Sequence, residues 1–303
     1  MRHKFTLLIS SAFLGICAAT TALAADATQT PAQQNFAATI ALGYEYTDFN
    51  EAEDDEGIIG NTGFAEGAFL FSNLADSNFN IQIDGSYYLN DLSNHDNNGS
   101  SVDEKGVDRW HGGGVLFWRD ATIGLLGIDG AYGQQNWSGD KIDDYRVGAR
   151  FEYYPSDFFT LGGRGGYIHE KEGSHDKGAD GFYANAFGEV YPTENWALTG
   201  SVDYAYFSKW DKPPSNVEPL TIWAFTAETE YDLSTSVNMP ISIFAGGRYA
   251  DQDDSESTFN EIQGFVGLKW YFGGGDTLAA KHRNNTLDNL NTPFDRVINR
   301  EGT

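Results

Sequence analysis

The sequence has almost no cysteine or methionine and few basic residues. Cys17 is the one cysteine among 303 residues, and methionine occurs twice. Because Cys17 lies in a segment that we expect to be removed, the mature chain has no disulfide, thiol nucleophile or thiolate metal site. Nineteen Lys and Arg stand against 44 Asp and Glu, a net charge of −25. Such an acidic surface is a poor partner for nucleic acid, which attracts Lys and Arg.

Long apolar runs are also lacking after the N-terminus. A basic start precedes the apolar stretch 5–17, and Ala22 and Ala24 form a small-x-small cleavage site. This pattern predicts a cleaved signal peptide over 1–24, because the stretch is too short for a membrane-spanning helix. We expect the polar segment 25–35 to be a flexible periplasmic leader.

Aromatic residues and glycine are plentiful, and they lie in segments where apolar and polar residues alternate. Phe79, Ile81 and Ile83 alternate with polar residues, for example. A strand places alternate side chains on opposite faces, so twelve such segments predict a closed antiparallel transmembrane β-barrel over 36–272, apolar outside and polar inside. The predicted strands are 36–48, 61–71, 78–90, 107–118, 121–133, 142–154, 158–170, 180–191, 195–208, 220–232, 240–250 and 259–272.

The connections between these segments alternate in length. Short ones, such as 119–120 and 155–157, alternate with longer polar ones, such as 91–106 and 209–219. Bacterial barrels have short periplasmic turns and longer extracellular loops. The alternation therefore predicts that both ends of the sheet lie on the periplasmic side.

The last segment, 262–272, alternates apolar residues and ends in an aromatic residue. It resembles the closing strand of Gram-negative outer-membrane β-barrel proteins, and the chain resembles a porin-like member with a C-terminal extension. The resemblance implies an outer-membrane location, contacts with its lipid and lipopolysaccharide, and recognition by the barrel-assembly machinery, with Trp270 and Phe272 as the signal. We expect 273–303 to be a periplasmic tail, although a short helix or a return into the lumen is compatible with its sequence.

Charged residues recur on the predicted inward face. Arg or Lys at mid-membrane costs about 2–4 kcal/mol, so these charges indicate a wet or ion-paired lumen. They either set a transverse field that selects ions, with the four arginines on one wall opposite the acids, or pair with one another and seal the barrel. The candidates are Arg146, Arg150, Arg164, Arg248, Glu152, Glu189, Asp203, Glu228, Glu230, Glu261 and Lys269.

The long connections carry many carboxylates, which concentrate cations. This predicts an acidic mouth, made by Glu51, Glu53, Asp54, Asp55, Asp251, Asp253 and Asp254. We therefore expect a porin-like channel for passive diffusion of ions or small solutes, with a cation preference and no catalytic residue, metal or cofactor.

Four alternatives remain. One is a sealed structural or surface-interaction barrel, another is a channel specific for acidic sugars, held by Arg146, Arg150 and Arg164, and a third is a soluble sandwich with adhesive loops. A lipid-modifying enzyme ranks last, because no strand serine has a nucleophile motif and His111 and His169 are expected at the extracellular rim as interfacial residues.

Overall fold

The computed structural model describes residues 36–51, 57–74, 77–95, 101–103, 107–137, 140–172, 177–208, 219–253 and 258–287. Twelve long strands and one short one, Ser101–Asp103, form a single antiparallel sheet in these residues. The long strands are β1 (Phe36–Glu51), β2 (Gly57–Phe71), β3 (Phe79–His95), β4 (Val107–Asp120), β5 (Gly124–Trp137), β6 (Asp140–Ser156), β7 (Phe159–Glu172), β8 (Lys177–Thr193), β9 (Trp196–Phe207), β10 (Leu220–Asp232), β11 (Ile241–Asp253) and β12 (Thr258–Phe272).

The sheet closes on itself. Strand β1 pairs with β2 on one side and with β12 on the other, in a register that runs from Ala38 opposite Phe272 to Glu51 opposite Phe259. Among the described residues, closure gives each of the twelve long strands a partner on both sides, as lipid requires of any strand that crosses it. The predicted twelve-stranded antiparallel barrel is confirmed.

The outward face is apolar along the middle of the strands. Ile128 and Val147 are 61% and 59% exposed, and they lie near the centres of their strands. Aromatic residues cluster towards both strand ends, which is the pattern of interfacial girdles on membrane barrels. Examples are Tyr145, Tyr167 and Trp223 at one end, and Tyr153, Trp196 and Tyr231 at the other.

The two ends of the barrel differ. We call the end with the connections 72–78, 121–123, 157–158, 194–195 and 233–240 the turn end, and the opposite end the loop end. A short helix, Ser234–Val237, lies in the last of these connections, and a second, Leu278–Asn284, follows β12. No helix in the described residues is long and apolar enough to cross a membrane.

Several strands extend further at the loop end than their sequence pattern predicts. Strand β5 continues to Trp137 and β6 begins at Asp140, so Asn136 pairs with Lys141. The apolar alternation ends at the lipid boundary, whereas backbone pairing continues between polar residues beyond it. The predicted signal peptide and leader, 1–35, lie outside the described residues.

We expect Val147→Arg to lower the free energy of unfolding by about 2–4 kcal/mol, because it places a cation against mid-membrane hydrocarbon. Phe158→Arg, at a turn, should cost about 0–1 kcal/mol. Urea unfolding in lipid vesicles measures both. Equal costs at the two positions would contradict the assignment of this face to lipid.

Candidate functional site: the bore of the barrel

All eleven candidate lumen residues occupy inward positions on their strands. Several are almost inaccessible: Asp203 and Glu261 are each 1% exposed, and Glu230 is 2% exposed. The inward face is not polar throughout, however. Ile168, Phe207 and Ile222 form a buried apolar cluster towards the loop end, and Phe64, Tyr88 and Phe244 form another further down the bore.

A buried polar network crosses β4 and β6 towards the loop end. Arg146 donates through Nε and Nη2 to Oδ1 of Asp144, at 2.9 and 2.8 Å. Its Nη2 also lies 2.7 Å from Nδ1 of His111, and Arg109 donates from Nε to Nε2 of that ring at 2.9 Å. His111 is therefore not the rim residue that the sequence suggested. The register of β4 turns Trp110 outward and buries His111 in the bore.

Arg248 lies on a different wall from the other three arginines. It is on β11, and its Nη1 donates to Oε1 of Glu261 on β12 at 2.9 Å. The prediction that all four arginines share one wall is wrong for Arg248. Alternation assigns a side chain to the inner face, but its wall depends on where its strand lies around the circumference.

Arg150 and Arg164 are directly opposite each other on β6 and β7. The Nη2 atom of Arg150 is 3.8 Å from Oε1 of Glu152. Among the described residues, the Nε and Nη1 atoms of Arg150 have no hydrogen-bond partner, although the side chain is buried. Like charges opposite each other destabilise a sheet, and buried unsatisfied donors add to that cost.

These charges line a cavity of about 310 Å³ in the bore. Arg150, Arg164 and Arg248 face it together with Asp203 and Glu228, so charges of both signs line the cavity. The cavity also reaches His282 of the C-terminal tail.

The described part of the tail, 273–287, turns back into the turn end of the bore. Leu278 is fully buried against Tyr191 and Tyr271. Leu287 packs into a second apolar cluster, made by Ala37, Leu70, Val115, Phe117 and Leu125. These two leucines anchor the two ends of the segment on opposite groups of strands, β8–β12 and β1–β5.

Between these anchors, three successive basic residues meet inward polar groups. Lys281 Nζ lies 2.5 Å from Oδ2 of Asp232. His282 Nδ1 lies 2.6 Å from Oε1 of Glu189, and its Nε2 lies 3.4 Å from Oε2 of Glu230. Arg283 donates from Nη2 to the carbonyl oxygens of residues 156 and 159, at 2.7 and 2.8 Å.

The segment continues towards the opposite wall. Arg119 on β4 donates from Nη1 to the carbonyl oxygen of Asn285 at 2.7 Å, and Thr286 donates to Oγ1 of Thr39 on β1 at 2.5 Å. The backbone N–H of Leu287 donates to Oε1 of Gln82 on β3 at 2.6 Å. The tail thus spans the bore from β8–β10 to β1–β4. Whether it is periplasmic in the cell stays a prediction.

The remaining sequence candidates are only partly described. Asp251 and Asp253 lie at the loop end of β11, and Glu51 ends β1. The other predicted mouth residues, Glu53, Asp54, Asp55 and Asp254, lie outside the described residues. Trp270 and Phe272 share the outward face of β12, whose pairing with β1 closes the barrel. Their role as an assembly signal stays a prediction.

The sequence was compatible with a return of the tail into the lumen but did not favour it, and the described part of the tail lies in the bore. Lys281, His282 and Arg283 are three consecutive basic residues in a strongly acidic chain. That contrast is the signal that could have suggested a carboxylate-rich partner elsewhere in the fold. No local pattern identified Asp232 as part of that partner.

Solved structures show which proteins share this fold. An outer membrane channel from Pseudomonas putida F1 superposes with a TM-score of 0.63 at 10% identity, over 81% of this chain and 99% of the channel. The β domain of the Bordetella autotransporter BrkA gives a TM-score of 0.50 at 8% identity, over 77% and 99%. No protein-family model matches the sequence, and no curated protein matches it significantly.

The chain therefore has the fold of outer-membrane β-barrels. Within that class, the particular architecture is a twelve-stranded barrel with a charged bore and a C-terminal segment folded into its turn end.

We expect Arg150→Met to change the free energy of unfolding by no more than about 1 kcal/mol, in either direction, because it removes unsatisfied donors and a like-charge neighbour. Arg146→Met should cost about 3–5 kcal/mol, since it leaves the carboxylate of Asp144 buried without the guanidinium that lies 2.8 Å away. Denaturant titration of both variants in vesicles tests this contrast. A large loss for Arg150→Met would assign it a stabilising role instead.

Proposed function

We propose that this protein is a porin-like channel of the outer membrane, exported with a cleaved signal peptide over 1–24, for passive diffusion of ions and small solutes. The fold that it shares with an outer membrane channel supports the channel class. We assign the chain no catalytic step.

The burial and hydrogen bonding of the Arg150 guanidinium support this proposal most directly. It is buried, faces the cavity in the bore, and leaves Nε and Nη1 without a hydrogen-bond partner among the described residues. In a barrel sealed by its own ion pairs such a cation would lower the stability, because unsatisfied buried donors are destabilising. In a channel, the same donors interact with water and passing solutes.

The cation preference rests on the predicted acidic mouth and the strongly acidic composition. Carboxylates at a narrow entrance raise the local concentration of cations. The alternative of a channel for acidic sugars is favoured by one observation, the adjacent cations Arg150 and Arg164 on one wall. Two neighbouring guanidinium groups can hold a carboxylate through paired hydrogen bonds.

Single-channel recording in a planar bilayer under a salt gradient tests the proposal. We expect discrete conductance steps with a cation-selective reversal potential. Arg150→Glu should shift the reversal potential further towards cations, because it replaces a cation in the bore by an anion. The control is Asp157→Asn, at an exposed turn, which should leave selectivity unchanged.

Anion-selective steps, blocked by an acidic sugar such as galacturonate, would support the sugar channel instead. A folded barrel that shows no steps, either as the wild type or after release of its tail, would be a sealed barrel.

A further inference from the structure

The turn end of the bore contains a binding site for a basic segment. Glu189, Glu230 and Asp232 project inward from β8 and β10, and each is at most 8% exposed. Three carboxylates so close together would repel one another strongly without counter-charges. Lys281 and His282 supply counter-charges, and Lys269 adds a third at 2.9 Å from Glu230. We name Glu189, Glu230 and Asp232 the carboxylate receptor.

The chemistry of His282 matches this receptor. Burial alone would lower the pKa of its imidazole, but Glu189 and Glu230 outweigh burial and hold that pKa well above its ordinary value. The ring is therefore a cation that donates from both nitrogens. Tyr191 and Tyr271 complete its surroundings from β8 and β12, with Tyr271 Oη 2.9 Å from Nε2.

The tail is attached through a hinge. Gly273, Gly274 and Gly275 have φ values of 92°, 94° and 126°, a region that only glycine adopts at low cost. They reverse the chain directly after β12 and direct it into the bore. At Gly274 a Cβ atom would also lie 2.9 Å from Cβ of Asn285. The docked position thus requires glycine at these positions. The same three glycines allow the backbone to rotate when the tail leaves.

The docked tail is held by contacts that can break without disrupting the sheet. The segment 273–287 adds no strand to the sheet; side-chain ion pairs, single hydrogen bonds and two leucines hold it. Water can replace the polar contacts when the segment leaves, while the barrel keeps every strand pairing. Removal of the tail therefore opens the turn end without opening the sheet.

We propose that the segment Gly273–Leu287 is a built-in plug, which binds the carboxylate receptor through Lys281 and His282, and that solutes pass when it is displaced. This inference rests on the proposed channel function.

A disulfide lock tests the plug in the full mature chain, which has no cysteine from Ala25 onward. Thr39 and Thr286 have their hydroxyl oxygens 2.5 Å apart, so Thr39→Cys with Thr286→Cys should form a disulfide across the bore. Lys281→Ala and His282→Ala, added to this pair, remove the cations that hold the tail. The control carries the same two alanines with Thr286→Cys alone.

We expect the reduced four-site variant to conduct several-fold more than the wild type, and oxidation to close it again. The control should stay open in both redox states. Circular dichroism confirms that each variant is folded before recording.

Two results would overturn the plug. One leaves the proposed channel function standing, and the other overturns it as well. Equal, large conductance in the oxidised and reduced states would show that the tail does not obstruct passage, while the channel function stands. Silence of the folded variant and of the control in both states would overturn the plug and the channel function together.

Discussion

The structure depends on one constraint: in hydrocarbon, every backbone N–H and C=O group must find its partner inside the protein. The pairing of β1 with β12 meets this constraint by closing the sheet. Closure then fixes whether each strand side chain faces outward or into the bore. Outward residues such as Val147 meet lipid, and inward residues such as Asp203 are enclosed in the bore. The charges of the bore follow from that division, because they have no other place in a membrane-spanning strand.

Enclosure makes the charges interdependent. Arg146 with Asp144, and Arg248 with Glu261, are paired along or between neighbouring strands, so each wall of the bore is largely balanced by itself. Arg150 differs in its ion pair, which is longer, at 3.8 Å from Glu152, and two of its donors have no hydrogen-bond partner in the described part of the chain. At the turn end, the carboxylate receptor is balanced in part by the tail. The docked tail is thus an electrostatic component of the bore.

The sequence predicted the barrel, the number of strands and the inner and outer faces, because the alternation of apolar and polar residues has the same period as the strand. The same alternation places His111 inward, next to the outward Trp110. Because the predicted strand begins near residue 107, His111 was instead expected close to its end, at the extracellular rim of the barrel. The wall occupied by Arg248 and the contact between Lys281 and Asp232 depend on the circular order of strands and on a reversal after residue 272. Neither has a periodic signature, so local pattern could not predict them.

Hydrogen–deuterium exchange of the tail amides in the folded, full-length barrel tests the central claim most directly. The N–H groups of Leu278, Lys281 and Leu287 donate to Glu194, Thr277 and Gln82 in the docked tail. We predict that these amides exchange much more slowly than in a free peptide of the same sequence, and that they exchange faster once Lys281 and His282 are replaced by alanine. Exchange at the rate of the free peptide in the wild-type barrel would show that the tail does not occupy the bore.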